Sequence, residues 1–507
     1  MKHKKKRPSP RRQMLKRIWF LQLLAEGVAT AGLWRLNMLP EEYLMMLIAG
    51  FALLSLFTGI LMLPRYTSRL SSGFGVFLSV LIFLLSCTAS VLVLDAHGTI
   101  NGIAGHTGND LTMAVYVQAD DPAQNIADAA GYRYAVVRGY EVTRTQEAIT
   151  AIEQELGTSI EVHEYEGAKA LVEAFFSGEA DALILNSAYA NLVEELDGYD
   201  DFYDRVRVLY EVKSNAWSSL VENIQGGGFF QGDGQDITKD PFVMYISGSD
   251  TRDKKLVTSR SDVNIMLVVN PKTKQILLLN TPRDYFIPNP ASGTGALDKL
   301  THCGIYGIEC SMQALMDLYG VEIDYYAQIN FTGFETLIDA IGGVTVYCDQ
   351  SFTTNKGIHF SKGELELDGS SALVFARERY NVAGGDNARG KNQMKVIKAV
   401  IDKATSGTTM LSNYTGIMES LEGMFVTSMP TSDISSLVKM QLKDLAQWNI
   451  QSYAVTGNNG KEITYSMPGT KLSVMYPNQG MVDYGSNLIQ RVMDGEILTE
   501  ADMTYTK

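Results

Sequence analysis

Charged residues recur where three predicted apolar strands of the C-terminal half begin or end. The run FVMYISG is followed by a loop with Asp250 and Arg252, and the run DVNIMLVVN is preceded by Arg260 and Asp262. The third run, KQILLLN, is followed by Arg283. Because α/β proteins place their sites at strand ends, we expect these side chains to share one site.

Later segments add further basic residues with regular spacing. Arg377 and Arg379 are two positions apart in a segment predicted to be extended, so their side chains are expected on one side. Asp386, Arg389 and Gln393 have the spacing i, i+3 and i+7, which predicts one face of a helix. Two pairs of adjacent residues, each with one acidic and one basic member, complete the set: Arg283-Asp284 and Asp298-Lys299.

This combination of side chains predicts phosphate chemistry. Arginines from separate segments repel one another unless an anion lies among them, and guanidinium groups match phosphate oxygens in pairs. Two aspartates beside them offer ligands for Mg²⁺, which is held by carboxylates and substrate phosphates together. Such a site stabilises phosphoryl transfer. The alternative is a set of ordinary surface ion pairs, such as Arg260 with Asp262 or Arg377 with Glu378.

The elements that position these residues are predicted to form two α/β domains. From Thr112 to Val212, strand-like and helix-like runs alternate, which predicts a small α/β accessory domain over residues 112–224 with a partly parallel sheet. Its pattern is similar to ligand-binding domains of the periplasmic type. Gly-rich linkers are predicted at residues 95–111 and 225–240, the second domain at 241–494, and a tail at 495–507.

The N-terminus predicts a membrane anchor. Residues 1–17 form a basic tail, and apolar segments of membrane-spanning length follow at 18–36, 43–63 and 73–94. Arg65 and Arg69 lie in the second loop, whereas Glu41 and Glu42 lie in the first. Because positively charged loops stay inside, we expect a cytoplasmic N-terminus, three spans and extracytoplasmic C-terminal domains.

Charge and cysteine usage agree with an exported, non-nucleic-acid-binding protein. The first 95 residues contain 12 Lys/Arg against 4 Asp/Glu, a balance of +8. Because the whole chain has a net charge of −14, the remaining residues carry about −22. An acidic exterior of this size argues against nucleic acid as a partner. Cys303 and Cys310 lie seven residues apart in the part expected outside, which predicts a disulfide.

Six strings between residues 241 and 494 closely resemble the LytR–CpsA–Psr family. They are GSDTR, RSDVNIMLVVNPKTKQILLLNTPRDYF, DKLTHCGIYG, IDYYAQINFTGFETLIDAIGGV, ALVFARERY and GDNARGKNQ. The resemblance implies an α/β/α sandwich with a mixed central sheet. It also implies a transferase that moves a glycopolymer (teichoic acid, capsule or another wall polysaccharide) from a polyprenyl-pyrophosphate carrier to a peptidoglycan hydroxyl, through a phosphodiester.

The resemblance also assigns roles to the residues singled out above. Asp250 and Asp262 would hold Mg²⁺, and Asp262 is also the candidate for the base. The pyrophosphate would be bound by Arg260, Arg283, Lys299, Arg377, Arg379, Arg389 and Gln393, with Asp262, Arg283, Arg377 and Arg379 as the catalytic set. Apolar residues around 329–334 and 337–341 are candidates for contact with the polyprenyl chain. A polyprenyl-pyrophosphate hydrolase and a membrane-bound regulator or sensor remain the alternatives.

Overall fold

The computed structural model describes residues 10–64, 68–104, 111–139, 141–194, 196, 198–199, 201–214, 236–249, 251, 256–405, 417 and 420–506. Asp250, Arg252 and most of the predicted linker at 225–240 therefore lie outside the described residues. The chain divides into two compact units. One contains residues 1–104, 404–422 and 430–447, and the other contains residues 105–403, 423–429 and 448–507.

The helices and strands are numbered here in chain order. The described helices are α1 Pro10–Leu36, α2 Glu41–Met62, α3 Arg69–Ile103, α4 Val142–Leu156, α5 Gly167–Ser177, α6 Ala190–Val193, α7 Phe202–Arg205, α8 Leu300–Cys303, α9 Ile308–Tyr319, α10 Phe331–Ala340, α11 Gly369–Arg377, α12 Gly385–Thr405, α13 Thr431–Asp444 and α14 Gln479–Met493. The described strands are β1 Leu111–Gln118, β2 Arg133–Val137, β3 Glu161–Tyr165, β4 Ala182–Asn186, β5 Val206–Ser214, β6 Phe242–Ser249, β7 Ser261–Asn270, β8 Gln275–Asn280, β9 Phe286–Pro288, β10 Leu297–Lys299, β11 Tyr325–Asn330, β12 Val344–Cys348, β13 Phe352–Thr353, β14 His359–Phe360, β15 Gly363–Leu367, β16 Phe425–Thr427, β17 Asn449–Ala454, β18 Gly457–Thr464 and β19 Met467–Pro477.

Two of the N-terminal helices have the length and apolar composition of membrane spans. They are Glu41–Met62 and Arg69–Leu94, and of the 18-residue apolar window in each only 17% and 22% is buried within the protein. A continuous apolar surface of this size is unusual for a helix in water. The first predicted span, residues 18–36, lies within α1. The third helix continues to Ile103, so the predicted linker at 95–111 is wrong in its first half.

Two polar residues of α1, Gln22 and Glu26, contact α2. Ser55 donates a hydrogen bond of 2.6 Å to Glu26 Oε2, and Gln22 donates one of 2.8 Å to Glu26 Oε1. Thr58 in turn donates to Gln22 Oε1 at 3.1 Å. All four residues are buried. Their hydrogen bonds explain how an otherwise apolar helix pair accommodates Glu26, because each polar group has a partner on the neighbouring helix or turn.

Residues 111–214 form a five-stranded sheet in the order β3-β2-β4-β1-β5. The central pairs β2–β3 and β2–β4 are parallel, whereas β1 pairs antiparallel with β4 and β5. The predicted strands and helices of this segment are present in the predicted order. Sequence patterns missed β2, although Gly131 and Gly139 flank it, and also β5.

The second sheet has six strands in the order β16-β11-β6-β7-β8-β17. Strand β7 is antiparallel to both β6 and β8. On the two sides of these three strands, β11 pairs in parallel with β6 and β17 pairs in parallel with β8. The predicted mixed sheet is therefore confirmed. Every residue of β8 is buried, so both of its faces are covered, as in sheets enclosed between layers.

The two sheets share one hydrophobic core. Phe175 of α5 and Val193 of α6 belong to the same cluster of buried residues as Tyr285, Ile305 and Met467 of the second sheet's domain. Hydrogen bonds also join the two parts: Tyr189 donates to the Ser466 carbonyl at 2.8 Å, and Asn186 to the Ile305 carbonyl at 3.1 Å. The small α/β domain predicted at residues 112–224 therefore packs against the second sheet's domain and shares its core.

The C-terminal residues and the cysteines also depart from expectation. Residues after 494, predicted to be a tail, pack on the domain: Leu498 is 1% exposed and its carbonyl accepts a 2.8 Å hydrogen bond from Asn449. Cys303 and Cys310 are buried free thiols, so the predicted disulfide is not present. Cys310 Sγ instead lies 3.4 Å from Asn289 Oδ1, and hydrogen bonding to Cys310 and burial raise the pKa of Cys303.

Candidate functional site

The register of the second sheet brings the strand-end residues to one edge. Strands β7 and β8 are antiparallel, with Ile265 opposite Asn280, so the beginning of β7 lies beside the end of β8. The end of β6 lies at the same edge, because Ser249 is opposite Ser261. Arg260 and Asp262 therefore meet Arg283, and Asp250, which follows β6, lies outside the described residues.

A cavity of about 1200 Å³ opens at this edge. Every described residue of the predicted site lines it: Arg260, Asp262, Arg283, Lys299, Arg377, Arg379, Arg389 and Gln393. Sequence spacing alone could not establish this, since the residues come from five separate elements. The cavity's described lining holds nine basic residues and four acidic ones, an excess of five positive charges in a chain of net charge −14.

Asp262 is the central carboxylate of the cavity. Its Oδ1 accepts a hydrogen bond from Arg283 Nη1 at 2.7 Å and another from Thr301 Oγ1 at 3.2 Å. The side chains of Asp262 and Arg283 are 15% and 12% exposed. Burial alone would raise the pKa of Asp262, but the charges of Arg283, Arg260 and Arg389 outweigh it and hold this pKa well below its ordinary value. Asp262 is therefore a stable anion.

Lys299 and Asp284 form a second buried ion pair. Lys299 Nζ lies 3.0 Å from Asp284 Oδ1, and Arg283 Nε lies 3.9 Å from the same oxygen. Burial works to raise the pKa of Asp284, while Lys299 and Arg283 lower it, and the net effect is a lowered pKa. Asp284 was noticed in the sequence as the neighbour of Arg283, but its contact with Lys299 required the structure.

A buried network behind the cavity fixes the position of Lys299. Asp298, the preceding residue, is fully buried and its Oδ1 lies 2.6 Å from His302 Nδ1. Its other oxygen accepts hydrogen bonds from Asn289 at 3.1 Å and from the Ser466 backbone N–H at 3.1 Å. Burial works to raise the pKa of Asp298, but the neighbouring His302 lowers it by more, so this pKa lies below its ordinary value. These contacts hold the short strand β10 rigid.

Arg377 and Arg379 flank the end of a helix and not an extended run, so the predicted extended segment is wrong. Arg377 is the last residue of α11, and an extended backbone begins at Glu378. The Arg377 guanidinium carbon lies 4.2 Å from the centre of the Phe331 ring, and that of Arg379 lies 4.7 Å from the Tyr380 ring. Both arginines nevertheless line the cavity. The backbone changes from helix to extended chain at Glu378, between them.

Glu378, which lies between these arginines, is occupied by its own backbone. Its Oε1 accepts hydrogen bonds from the N–H groups of Tyr380 at 2.7 Å and Asn381 at 3.0 Å. Burial raises the pKa of Glu378, and these backbone hydrogen bonds lower it further than burial raises it. The carboxylate thus shapes the turn, which argues against the alternative in which Glu378 serves to neutralise Arg377.

The helix α12 presents Arg389 and Gln393 to the cavity from one face, as the spacing predicted. Asp386, one turn earlier, forms an ion pair with Arg389 Nη2. Burial lowers the pKa of Arg389, Asp386 raises it, and the neighbouring Arg283 lowers it again. That mutual repulsion among guanidinium groups is the physical sign of a site built for an anion.

The structure adds residues to the cavity that the sequence did not single out. Three exposed lysines, Lys356, Lys461 and Lys471, lie at its border. One wall is apolar and is formed by Phe331, Ile358, Leu373 and Val374. Of these, only Phe331 falls in the apolar runs proposed from sequence. The lysines lie in turns and exposed strands, where a polar residue gives no sequence signal beyond solubility.

The metal prediction rests on one described carboxylate. Among the described residues, no three His, Cys, Asp or Glu side chains come close enough to hold a metal ion. Asp262 has the chemistry that Mg²⁺ requires, because it is ionised, lines the cavity and has a second oxygen beyond the one bound by Arg283. A magnesium ion bound by one or two carboxylates and substrate phosphates fits this donor set.

Residues 212–479 match the family model described as LytR_cpsA_psr family. The match covers more than half of the 507 residues. The chain belongs to the LytR–CpsA–Psr family. The site residues from Arg260 to Gln393 fall within the matched part, and so do the border lysines Lys356, Lys461 and Lys471.

Relatives and solved structures of this family resemble the chain in part. The polyisoprenyl-teichoic acid–peptidoglycan teichoic acid transferase TagU of Enterococcus faecalis is 32% identical over 201 residues, which cover 39% of this chain and 65% of that relative. TagU of Halalkalibacterium halodurans is 29% identical over 276 residues, covering 53% and 84%. The crystal structure of B. subtilis TagV aligns over 50% of this chain and 98% of its own, with 23% identity and a TM-score of 0.43. The chain thus spans less than two thirds of the length of the E. faecalis relative.

Proposed function

We propose that this LytR–CpsA–Psr protein is a Mg²⁺-dependent phosphotransferase that moves a glycopolymer from a polyprenyl-pyrophosphate carrier to peptidoglycan. The observation that carries the proposal is that five arginines line one cavity with an apolar wall, and that three of them act on its ionised carboxylate, Asp262. Basic groups suit the pyrophosphate, and the apolar wall suits the carbon chain attached to it. The relatives named as teichoic acid transferases favour the same substrate class.

The proposed reaction exchanges the phosphoanhydride bond of the pyrophosphate for a new phosphoester bond. A sugar hydroxyl of peptidoglycan attacks the phosphorus that carries the glycopolymer, forming a new O–P bond. The bond from this phosphorus to the bridging oxygen breaks, and polyprenyl monophosphate leaves with that oxygen. The hydroxyl proton passes to a base or to solvent. Arg377, Arg379 and Arg389 line the space that the charged phosphates would enter, where preformed positive charge stabilises the transition state.

Asp262 is better suited to bind Mg²⁺ than to act as the base. Its pKa is held low and Arg283 and Thr301 already occupy one oxygen, so its affinity for a proton is weak. A bound Mg²⁺ would supply a positive charge to the pyrophosphate oxygens. Asp250, the second predicted ligand, follows Ser249 in the sequence and lies outside the described residues.

The apolar wall is proposed to contact the first part of the polyprenyl chain. Phe331 packs under the Arg377 guanidinium, so an aromatic surface begins directly beside a phosphate-binding group. Leu373 and Val374 continue this surface on α11, a helix that carries Arg377 at its end. One helix therefore supplies both the apolar contact and the charge.

We propose that α1, α2 and α3 all span the cell membrane, with the N-terminus in the cytoplasm and the C-terminal domains outside. The positive loop at Arg65 and Arg69 supports this orientation. Glu41 and Glu42 begin α2 directly after the turn that follows α1, and their carboxylates lie 3.9 Å from Lys439 and Lys443 of α13, respectively. That contact favours a location of this turn and α13 on the same side of the membrane.

The experiment uses the full chain in detergent with a synthetic polyprenyl-pyrophosphate saccharide, a peptidoglycan oligosaccharide and Mg²⁺. Mass spectrometry should detect the saccharide joined to peptidoglycan through a phosphodiester, together with polyprenyl monophosphate. Release of saccharide phosphate with no acceptor adduct would show that water is the acceptor and that the hydrolase alternative is correct. No reaction with a folded, Mg²⁺-loaded sample would contradict both enzymatic functions.

A further inference from the structure

We propose that Lys356, Lys461 and Lys471 form an outer anion-binding subsite that holds phosphodiester groups of an anionic glycopolymer while its pyrophosphate occupies the inner site. These three residues are called the lysine rim below. The inference rests on the proposed function, because it names the substrate class for the same cavity. It makes the donor a polymer with charged repeats and not a neutral polysaccharide.

The charge of the cavity is the first argument. Its described lining has an excess of five positive charges. Each phosphate of a pyrophosphate diester carries a single negative charge, so the inner substrate group leaves part of this excess uncompensated. A bound divalent cation would increase the imbalance further. A second anionic group of the substrate would balance it, and the uncompensated charge lies at the rim.

The geometry of the rim is the second argument. Lys461 of β18 is opposite Ser473 of β19, and Ile463 is opposite Lys471. The two lysines are therefore diagonal neighbours on one face of the hairpin, with Cβ atoms roughly 7 Å apart. The intervening Glu462 points to the other face, and its carboxylate accepts a hydrogen bond from Tyr476. The hairpin thus separates its acidic residue from the two cations that line the cavity.

Three of the four acidic residues that line the cavity have partners away from the rim. Asp262 and Asp284 are bound by Arg283 and Lys299, and Glu378 accepts hydrogen bonds from its own turn. Lys356 approaches from a different element, the turn between β13 and β14. Cations from separate segments therefore border one opening.

The contrast in residue type indicates what each end binds. At the inner end Arg389 is buried and the Arg283 side chain is only 12% exposed, and guanidinium groups present fixed pairs of donors, which suits a pyrophosphate in one position. The rim ammonium groups are exposed, compact charges on flexible stems, which suits phosphates that take several positions along a polymer. Exposed charge of this kind contributes modestly per contact and is screened by salt.

The test compares donors that share the polyprenyl-pyrophosphate group. One carries a single saccharide, one a poly(glycerol phosphate) chain and one a neutral glucan of equal length. For Lys461→Gln/Lys471→Gln we expect the KM of the anionic polymer to rise roughly tenfold at low salt. The rise should shrink as salt increases, and the other two donors should change by a smaller factor. Lys362→Gln removes an exposed lysine outside the cavity and is the matched control.

A binding measurement separates this proposal from the proposed function. Poly(glycerol phosphate) without the pyrophosphate lipid should bind the full wild-type chain, and the double variant should bind it more weakly. If wild type binds in this way but transfers nothing, the transferase function fails and the lysine rim stands. Equal KM changes for anionic and neutral donors would overturn the rim. Lysine-dependent binding to anionic lipid vesicles without binding to the polymer would also overturn it, since the lysines would then serve the membrane.

Discussion

The inner and outer ends of the cavity carry the same sign of charge in different surroundings. At the inner end, Arg283 and Lys299 are 12% and 5% exposed in their side chains and are paired with Asp262 and Asp284. At the outer end, the rim lysines are exposed. Charges interact more strongly where water is excluded, so the inner groups are suited to stabilise a transition state and the outer ones to retain a polymer.

This difference also separates two kinds of structural support. The inner end is positioned by the paired edges of β7 and β8 and by the buried Asp298–His302 contact, so its geometry depends on the core. The rim is positioned mainly by the β18–β19 hairpin, where α5 of the first sheet packs against β19. Changes to the inner end should therefore affect rate and stability together, and changes to the rim should affect polymer affinity.

Replacement of Asp262 should have the largest effect on turnover. Asp262→Ala removes the anion that balances Arg283, Arg260 and Arg389, so turnover with Mg²⁺ should fall by about 10³ or more. Breaking a buried ion pair of this kind also costs about 3–5 kcal/mol of stability. Asp262→Asn is the matched control, because it keeps an acceptor for Thr301 while it removes the charge. Rates and melting temperatures are measured on the same samples, and wild-type turnover in both variants would contradict the assignment.

Arg377→Lys and Arg379→Lys should have the next largest effect. Each keeps the positive charge but loses the paired donors and the stacking on Phe331 or Tyr380. If the guanidinium groups bind the transferred phosphate, the rate should fall by about 10²–10³, equivalent to roughly 2–4 kcal/mol. Both positions border open space, so the melting temperature should change little. Wild-type rates in a folded variant would contradict a role in phosphate binding and would favour the alternative that these arginines form ordinary surface ion pairs.

The extent to which these sites could be predicted follows from the residues involved. Asp262 and Arg283 were predictable because each borders a long apolar strand, and antiparallel pairing brings such ends together. The ion pair between Lys299 and Asp284 was not predictable, because in the sequence Asp284 is noticeable only as the residue after Arg283. The predicted extended run at Arg377 was wrong, because a short apolar segment has no periodicity that distinguishes strand from helix.

The shared core could not be predicted for a different physical reason. The residues of α5 that belong to the shared core, such as Leu171 and Phe175, have the same apolar pattern as residues that pack within a separate domain. Periodicity reports that a face is buried and does not report its partner. The rim lysines were missed likewise, since exposure and polarity are expected of any hairpin.

Gly167→Ala should disturb the rim through the shared core and leave the inner contacts in place. Gly167 has a positive φ of 81°, and a Cβ there would collide with the Pro468 carbonyl oxygen of β19. Gly178→Ala is a close control, because its φ is 82° and a Cβ would meet nothing within 4 Å. Both variants should lose about 1 kcal/mol from the left-handed backbone.

The collision should cost Gly167→Ala a further 1–3 kcal/mol or so through overpacking. Thermal unfolding measures the difference between the two variants. The same displacement of β19 should raise the KM for an anionic polymer donor. Equal melting temperatures for the two variants would show that the contact between α5 and β19 does not contribute to stability.

Acidification should reveal the smallest effect, and it should come from the inner end. The pKa values of Asp262 and Asp284 are lowered in the folded protein, because nearby cations outweigh the effect of burial. A lowered folded-state pKa contributes stability that is fully present above the unfolded value of about 3.9 and is lost as pH falls toward the folded value. The free energy of unfolding should therefore decline below about pH 4 for this reason.

Asp262→Asn should show a shallower decline, whereas Lys461→Gln should follow the wild-type curve, since the rim holds no such carboxylate pair. Parallel curves for wild type and Asp262→Asn in chemical denaturation from pH 2 to 7 would show that the inner cations do not stabilise the Asp262 anion.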